Sequence, residues 1–352
     1  MALPVESLQL LQVHETNKEV ESIEVAARKE REYEKACEKW SNILPTLNRE
    51  KGWLDDDMVQ YQGTWLSPLL TLRSILLMHD LFTARPDDVL LVTSPKAGTT
   101  WFKALIFAIM NRSRFSLSSH PLLNNGPHHC VPSIEVLYHN KNQALELDTA
   151  PTPRILATHM PYPLLPKTTK SSECKIVYVY RDPKAVFVSQ WHFFMQLREK
   201  HSLPLIPFHD AVNMFCTGLT EFGPFWDHVL GYWKVSKESP TKVFFMKYED
   251  TKKNPLDSVK KLAEFLGHPF TEGEEKSGAV EEIVKLCSFE TLVNLEVNRE
   301  GILQVTPQYG VQNRYFFRKG EARDWENHLS EEIVKRFDEI SEQKFGPIGL
   351  NF

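Results

Sequence analysis

Short apolar runs alternate with helical patterns over most of the chain. Four runs are apolar and rich in branched residues, which is typical of buried strands, at 89–94, 154–158, 175–180 and 242–248. Helical patterns lie at 100–111, from 183 onward and at 256–266, with Gly267 as the closing residue. Strands separated by helices indicate βαβ units around a parallel sheet. We therefore predict an α/β fold, with a central parallel sheet flanked by helices in a single domain.

The beginning of the chain lacks this alternation. Residues 1–44 include a stretch at 19–39 that is rich in Glu, Lys, Arg and Ala, and we expect an N-terminal extension that is partly disordered. The remainder, 45–352, shows no internal repeat and fits one large α/β domain.

Composition argues against several classes of partner. The net charge of −5 disfavours a nucleic-acid-binding protein, which usually carries a basic excess. The most apolar helical stretch, 101–110, contains Lys103 and is too short to span a bilayer, and no signal peptide is recognisable. The 13 His and 5 Cys residues have no metal-ligand spacing, and an odd cysteine count without CxxC is typical of free thiols. We therefore predict a cytoplasmic protein with no metal, nucleic-acid or membrane partner.

A loop of small residues joins the first predicted strand to its helix. Its sequence, SPKAGTTW at 94–101, turns backbone N–H groups toward one point at a helix N-terminus, where the helix dipole favours an anion. Lys96 adds a full charge, and Thr99 and Thr100 add hydroxyl groups. The loop is P-loop-like without matching the Walker A pattern, because the lysine precedes the glycine. We predict a phosphate site here, although an ordinary strand-to-helix turn has the same composition.

Polar residues also follow the other predicted strands. Arg181 ends one strand, and Ser189 lies two helical turns beyond the expected N-cap residue Asp182, so both can reach an anion beyond the sheet. His159 directly follows another strand, where a neutral imidazole can accept a hydroxyl proton. Near the C-terminus, Arg318 and Lys319 precede Gly320 and offer two charges beside open backbone.

These motifs together resemble the soluble sulfotransferase family, and its plant members most closely. The resemblance covers about residues 50–352 and rests on PKAGTTW at 95–101, ATH at 157–159, RDPKAVFVS at 181–189, KYED at 247–250, CSFE at 287–290 and FRKG at 317–320. It implies a single α/β domain that transfers a sulfuryl group from 3′-phosphoadenosine 5′-phosphosulfate (PAPS) to a hydroxyl of a small organic acceptor, without a metal.

The resemblance also implies roles for individual residues. His159 would be the general base, and Lys96 would balance charge on the leaving group. The 5′-phosphosulfate would be held by Lys96, Ala97, Gly98, Thr99 and Thr100. The 3′-phosphate would be bound by Arg181, Ser189, Arg318, Lys319 and Gly320. The adenine would be contacted by Trp101, Tyr248 and Phe289, and Cys287 would be a further cofactor-binding residue.

The chain departs from the family pattern at several positions. Ala97 stands where Ser is frequent, Cys287 where Thr is frequent, and Ala157 where many animal members have Lys. The C-terminal motif reads RKGEARDWE, with Arg323 and Glu326 out of pattern. No animal-type dimer signature is recognisable at 330–335, so we predict a monomer.

The resemblance also implies a class of acceptor. Plant-type resemblance favours a flavonoid, another phenolic, a steroid or a hydroxyjasmonate, and we expect Trp191, His192 and Phe193 to line its pocket. Two other classes of function remain open at this stage. A nucleotide-dependent kinase would require a lysine after the loop glycine and an acidic residue for Mg²⁺. A non-catalytic nucleotide-binding or scaffold protein would not require Lys96 and His159.

Overall fold

The computed structural model describes residues 27–28, 30–54, 57–306 and 309–350. Of the extension at 1–44 that was predicted to be partly disordered, residues 1–26 and 29 lie outside the described residues. The described part of the extension forms a helix, α1, over residues 30–43. Tyr33 and Ala36 of α1 are buried against the domain, and the Lys39 ammonium lies 2.9 Å from the Asp80 carboxylate. Thus, this part of the extension packs on the domain body.

The strands form three sheets. In chain order they are β1 (Arg49–Glu50), β2 (Met58–Tyr61), β3 (Thr64–Leu66), β4 (Val89–Thr93), β5 (Ile155–Thr158), β6 (Lys175–Tyr180), β7 (Val243–Lys247), β8 (Ile302–Thr306) and β9 (Tyr309–Gln312). The central sheet has the order β5-β4-β6-β7 and is parallel throughout. Its four strands are the four that the apolar runs predict, and the predicted α/β fold with a central parallel sheet is confirmed.

The helices that follow α1 cover both faces of this sheet. They are α2 (Arg73–Leu81), α3 (Thr99–Asn111), α4 (Pro127–Cys130), α5 (Ile134–Leu137), α6 (Lys141–Glu146), α7 (Lys167–Ser171), α8 (Pro183–Lys200), α9 (Phe208–Cys216), α10 (Phe225–Glu238), α11 (Tyr248–Lys253), α12 (Pro255–Phe265), α13 (Glu272–Lys276), α14 (Ala279–Leu286), α15 (Phe289–Asn294), α16 (Glu296–Glu300) and α17 (Glu331–Phe345). The predicted helices at 100–111, from 183 and at 256–266 correspond to α3, α8 and α12.

Successive residues of the central strands contribute to two separate cores. Leu90, Val92 and Tyr178 belong to the core that includes α8 and α10, whereas Leu91 and Val177 belong to the core that includes α3 and α12. Every residue of β4 is buried. Because a parallel sheet is covered on both faces, its strands read as continuous apolar runs, and this made them recognisable in the sequence.

The two small antiparallel sheets were not predicted. One consists of β1, β2 and β3, and the other is the β8–β9 hairpin. Strands of two to five residues are too short to establish a period of two, and β8 is only partly buried. Among the described residues, no helix is long and apolar enough to cross a membrane.

Candidate functional site

The loop between β4 and α3 is folded as a tight anion cradle. Lys96 and Gly98 both have positive φ, at 68° and 112°, which directs the intervening backbone inward. A side chain at position 98 would lie 2.7 Å from Cδ2 of Tyr248, so only glycine fits there. The buried Gln190 amide donates to the Pro95 carbonyl at 3.0 Å and fixes the loop against α8. The first N–H groups of α3 have no partners within the helix and are available to an anion.

A cavity of about 330 Å³ opens in front of this loop, and we call it the loop cavity. The predicted site residues that line it are Lys96, Gly98, Thr99, Thr100, Trp101, His159, Ser189, Tyr248, Phe289, Arg318 and Gly320. Residues from the ends of three central strands and from a distant C-terminal segment thus meet around one space, which is where parallel sheets bind ligands.

Four predicted residues do not line the loop cavity. Ala97 is buried behind the loop, and its amide donates to the Ser94 carbonyl at 3.1 Å. Cys287 is fully buried, and this burial raises the pKa of its thiol. Lys319 is bound to Asp324 at 2.8 Å, and Arg181 forms part of the layer behind the loop.

Arg181 links three parts of the site. Its guanidinium donates to the Lys96 carbonyl at 3.3 Å and to the Glu321 carbonyl at 3.0 Å, and it lies 4.3 Å from the centre of the Tyr248 ring. Its Nε atom is buried without a hydrogen-bond partner and is 4.0 Å from the Glu249 carboxylate. A buried donor without a partner is rare in folded proteins, so Arg181 retains unused hydrogen-bonding capacity behind the loop.

The surroundings of Lys96 disfavour its charged form. Its Nζ atom donates to the Tyr315 carbonyl at 3.2 Å and lies 4.4 Å from the centre of the Phe193 ring. Burial, together with the charges of Arg181 and Arg318, lowers the pKa of Lys96 to about 7. A bound anion would raise this pKa, because it would favour the charged form of the amine.

The C-terminal segment closes the loop cavity from the other side. Arg318 and Lys319 both contact the carboxylate of Asp324, and these contacts outweigh burial and hold the pKa of Asp324 well below its usual value. Gly320 has φ 69°, and a Cβ atom there would lie 2.5 Å from the Phe289 ring. Phe289 therefore packs directly against bare backbone and also lines the cavity.

His159 has one ring nitrogen engaged and one available. Its Nδ1 donates to the carbonyl of Thr93 at 2.8 Å, so Nδ1 carries the proton and Nε2 is the basic atom. No hydrogen bond to Nε2 is found within the described part of the chain. Burial lowers the pKa of His159 to about 4, with further contributions from the Lys103 and Lys96 charges. The ring is thus neutral near pH 7.

A second cavity, of about 200 Å³, also reaches His159. We call it the hairpin cavity, since Leu303, Val305 and Val311 of the β8–β9 hairpin form one wall. It shares five lining residues with the loop cavity, namely Pro95, His128, His159, Phe193 and Phe316. Of the three aromatic residues expected to line an acceptor pocket, Phe193 does so. Trp191 packs against Phe208, and His192 against His328, and neither lines the hairpin cavity.

The structure adds three polar residues, His128, Glu135 and Lys103, that sequence reasoning did not select. His128 stacks on Phe316 with ring centres 4.0 Å apart and lines both cavities. Its Nδ1 accepts from Lys103 Nζ at 3.2 Å, so its Nε2 donates to the Thr100 hydroxyl at 2.9 Å. The buried Glu135 carboxylate accepts from the backbone N–H of His159. Lys103 was visible in the sequence only as a break in an apolar helix.

The two threonine hydroxyls of the loop also have partners within the protein. The Thr99 hydroxyl lies 2.6 Å from the Thr93 hydroxyl, and the Thr100 hydroxyl accepts from His128. Because it accepts in this pair, the Thr100 hydroxyl keeps its own proton to donate to a ligand. Within the described ranges, no group of three or more His, Cys, Asp or Glu side chains could hold a metal ion.

Comparisons with known proteins agree on one family. The family model described as "Sulfotransferase domain" matches residues 86–349. The chain is 45% identical over 293 residues to flavonol 3-sulfotransferase of Flaveria bidentis, covering 83% of this chain and 92% of that one. It is also 45% identical over 313 residues to cytosolic sulfotransferase 12 of Arabidopsis thaliana, covering 88% of this chain and 93% of that one.

Solved structures give the same result. A crystal structure of an Arabidopsis thaliana sulphotransferase is 39% identical and superposes with a TM-score of 0.70, covering 88% of this chain and 94% of that one. Mouse sulfotransferase SULT7A1, in complex with PAP, is 28% identical with a TM-score of 0.65, covering 82% and 94% of the two chains.

Proposed function

The chain belongs to the sulfotransferase family, and we propose that it moves a sulfuryl group from PAPS, bound in the loop cavity, to a hydroxyl of a small acceptor in the hairpin cavity. The observation that carries this proposal is the position of His159. His159 lines both cavities, and in the part of the chain that the structure describes its basic Nε2 has no hydrogen-bond partner.

The loop cavity has the chemistry that PAPS requires. The α3 amides and Lys96 suit the 5′-phosphosulfate, since both favour negative charge. Arg181, with its unpartnered Nε, together with Ser189 and Arg318 suits the 3′-phosphate. Trp101, Tyr248 and Phe289 provide aromatic surface for adenine. The mouse relative whose structure contains PAP supports the same ligand.

Bound PAPS supplies an activated sulfuryl group on a bisphosphate leaving group. His159 accepts the proton of the acceptor hydroxyl at Nε2, while Thr93 holds its Nδ1 proton and fixes the ring. Lys96 places positive charge where negative charge develops on the leaving oxygen. The Thr100 hydroxyl, which accepts from His128, is left to donate toward a sulfuryl oxygen. These residues thereby bind and orient the substrates, and His159 accepts one proton.

The acceptor is proposed to be a flavonoid or another small phenolic, with a steroid or a hydroxyjasmonate as further members of the class. The apolar wall formed by Leu303, Val305, Phe193 and Phe222 favours flat or apolar molecules. The flavonol-specific name of the Flaveria bidentis relative supports a phenolic acceptor. The relatives described as cytosolic support the predicted cytoplasmic location.

A monomer remains our proposal for the oligomeric state. It rests on the missing dimer signature at 330–335, where Ser330 instead caps α17 by accepting from the Ile333 amide. Light scattering at micromolar concentration tests it, and a stable dimer would contradict it.

A sulfation assay with radiolabelled PAPS, a panel of hydroxylated acceptors and no added metal tests the proposed function. We expect transfer to one or more phenols with EDTA present. Transfer of phosphate from ATP to the same acceptors, or activity on peptide tyrosine or long glycans alone, would contradict the proposal.

A further inference from the structure

His128 lies at the boundary between the two cavities and lines both of them. Its ring stacks on Phe316, with ring centres 4.0 Å apart and planes inclined by 28°, so the plane of the imidazole is fixed. Both of its ring nitrogens have partners. Nδ1 lies 3.2 Å from the Lys103 Nζ atom, and Nε2 lies 2.9 Å from the Thr100 hydroxyl. His128 thus connects a buried amine to the wall of the loop cavity.

Lys103 determines which ring nitrogen of His128 carries the proton. Its side chain is completely buried, and its Nζ atom donates to the Ser133 hydroxyl at 2.9 Å and to Nδ1 of His128 at 3.2 Å. An ammonium group has donors and no acceptor, so Nδ1 accepts. Burial lowers the pKa of Lys103 to about 7, but the neutral amine still carries one proton for each of these two partners. The neutral imidazole therefore keeps its own proton on Nε2.

The Thr100 hydroxyl is left as a donor by this arrangement. Nε2 of His128 donates to its oxygen, and no acceptor for the hydroxyl proton is found in the part of the chain that the structure describes. Thr100 lines the loop cavity, and its partner His128 also lines the hairpin cavity, so the hydroxyl lies near the boundary of the two. The sulfuryl group is the part of PAPS that must cross this boundary during transfer.

We propose that Lys103 and His128 are positioning residues that direct the Thr100 hydroxyl toward the sulfuryl group, so that the site distinguishes PAPS from the bisphosphate product PAP. This inference rests on the proposed function. Thr100 donates to a sulfuryl oxygen, and PAP cannot accept this hydrogen bond because it lacks the sulfuryl group. Loss of the chain from Lys103 to Thr100 should therefore impair the use of PAPS and leave the binding of PAP unchanged.

Two substitutions of His128 separate the hydrogen bond from the ring stacking. His128→Gln keeps an N–H donor near the position of Nε2 but loses the stacked ring, whereas His128→Phe keeps a ring and loses the donor. We expect kcat/KM for PAPS to fall about tenfold in His128→Phe, which corresponds to about 1.4 kcal/mol, and by no more than about twofold in His128→Gln. The Kd of PAP, measured by calorimetry, should stay at the wild-type value in both. His129→Phe, at the exposed neighbouring position on α4, is the matched control and should behave as wild type.

A double-mutant cycle tests whether His128 acts through Thr100. Thr100→Val removes the hydroxyl and nearly preserves the shape of the side chain. In the Thr100→Val background, His128→Phe should lower kcat/KM for PAPS by no more than about twofold, because the hydroxyl that it orients is already absent. Additive losses, a larger loss in His128→Gln than in His128→Phe, or an equal loss of affinity for PAP would make His128 a structural residue and overturn the proposal.

The tautomer of His128 provides a measurement that does not depend on activity. Imidazole ¹⁵N chemical shifts, assigned with His128→Gln, should show His128 protonated on Nε2 and His159 protonated on Nδ1 in the free protein. Lys103→Met removes the donor to Nδ1, so both tautomers of His128 should be populated, and kcat/KM for PAPS should fall with the Kd of PAP unchanged. A wild-type His128 protonated on Nδ1 would overturn the proposal even if His128→Phe does not fold. The expected tautomer in a protein that transfers no sulfuryl group to any acceptor would instead contradict the proposed function.

Discussion

The loop cavity and the hairpin cavity share His159 but differ in their charge. The loop cavity gathers Lys96 and Arg318 at its wall, with Arg181 directly behind, whereas the hairpin cavity has two glutamates and no Lys or Arg among its described lining residues. A polyanion is therefore favoured in the first and disfavoured in the second. This difference in charge would keep PAPS and the acceptor on opposite sides of His159 without a conformational change.

The largest effect on activity is expected from removing His159, which lines both cavities. We expect His159→Ala to lower kcat by ~10²–10⁴-fold, the usual range for loss of a general base, while the bisphosphate product still binds. Turnover and calorimetry measure the two quantities. His268→Ala, at an exposed position, is the matched control and should behave as wild type. Near wild-type turnover of His159→Ala with several acceptors would show that the base is another group.

The two cavities also differ in how much of them could be predicted. The predicted residues of the loop cavity follow strand ends or lie in compact sequence motifs, because parallel strands present their carboxyl ends at one edge. The walls of the hairpin cavity come from unrelated segments, such as Leu54, Leu197 and Val311, which share no pattern in the sequence. Only the folded chain brings them together.

The directions of side chains were a second feature that could not be predicted from the sequence. Thr99 and Thr100 were predicted as phosphate contacts, but spacing along the chain could not reveal that their hydroxyls engage Thr93 and His128. Cys287 was predicted by resemblance to bind the cofactor, but the structure buries its side chain and it does not line the loop cavity. The alternation of apolar strands and helices, in contrast, predicted the central sheet, because burial on both faces leaves a direct record in composition.

The second prediction examines the cationic side of the comparison. Arg181→Ala should weaken binding of the 3′,5′-bisphosphate about tenfold to a few hundredfold, because a charged hydrogen bond contributes ~1.5–3 kcal/mol. Binding of the analogue without the 3′-phosphate should hardly change. Calorimetry with both ligands and both proteins gives the comparison. Equal losses for the two ligands would make Arg181 a structural residue and end its assignment to the 3′-phosphate.

The third prediction uses the pH dependence of kcat/KM to distinguish the contribution of Lys96 from that of His159. The pKa of Lys96 is lowered to about 7 in the free protein, so its charge is lost as the pH rises above 7. The pKa of His159 is lowered to about 4, so its neutral, basic form persists down to about pH 5. We expect kcat/KM for PAPS to fall by up to about tenfold per pH unit above 7 and to stay level between 5 and 7.

The pH dependence of kcat serves as a reference for the pH dependence of kcat/KM. In the loaded enzyme the anionic ligand raises the pKa of Lys96, so the alkaline fall in kcat should begin at a higher pH than the fall in kcat/KM. Lys96→Arg, which cannot lose its charge in this range, should remove the fall in kcat/KM. An alkaline limb that survives in Lys96→Arg would assign that limb to a different group.

The smallest expected effect concerns the apolar wall of the hairpin cavity. Leu303 lines this cavity, whereas its neighbour Ile302 on β8 is 53% exposed, because successive side chains of a strand face opposite sides. Leu303→Ala removes partly buried methyl groups at about 0.8 kcal/mol each, so we expect KM for an apolar acceptor to rise ~5-fold with KM for PAPS unchanged. Ile302→Ala, on the same hairpin, should alter neither value. A rise in KM for PAPS, or equal effects of the two substitutions, would mean that the hairpin stabilises the whole site rather than forming one wall of the acceptor's cavity.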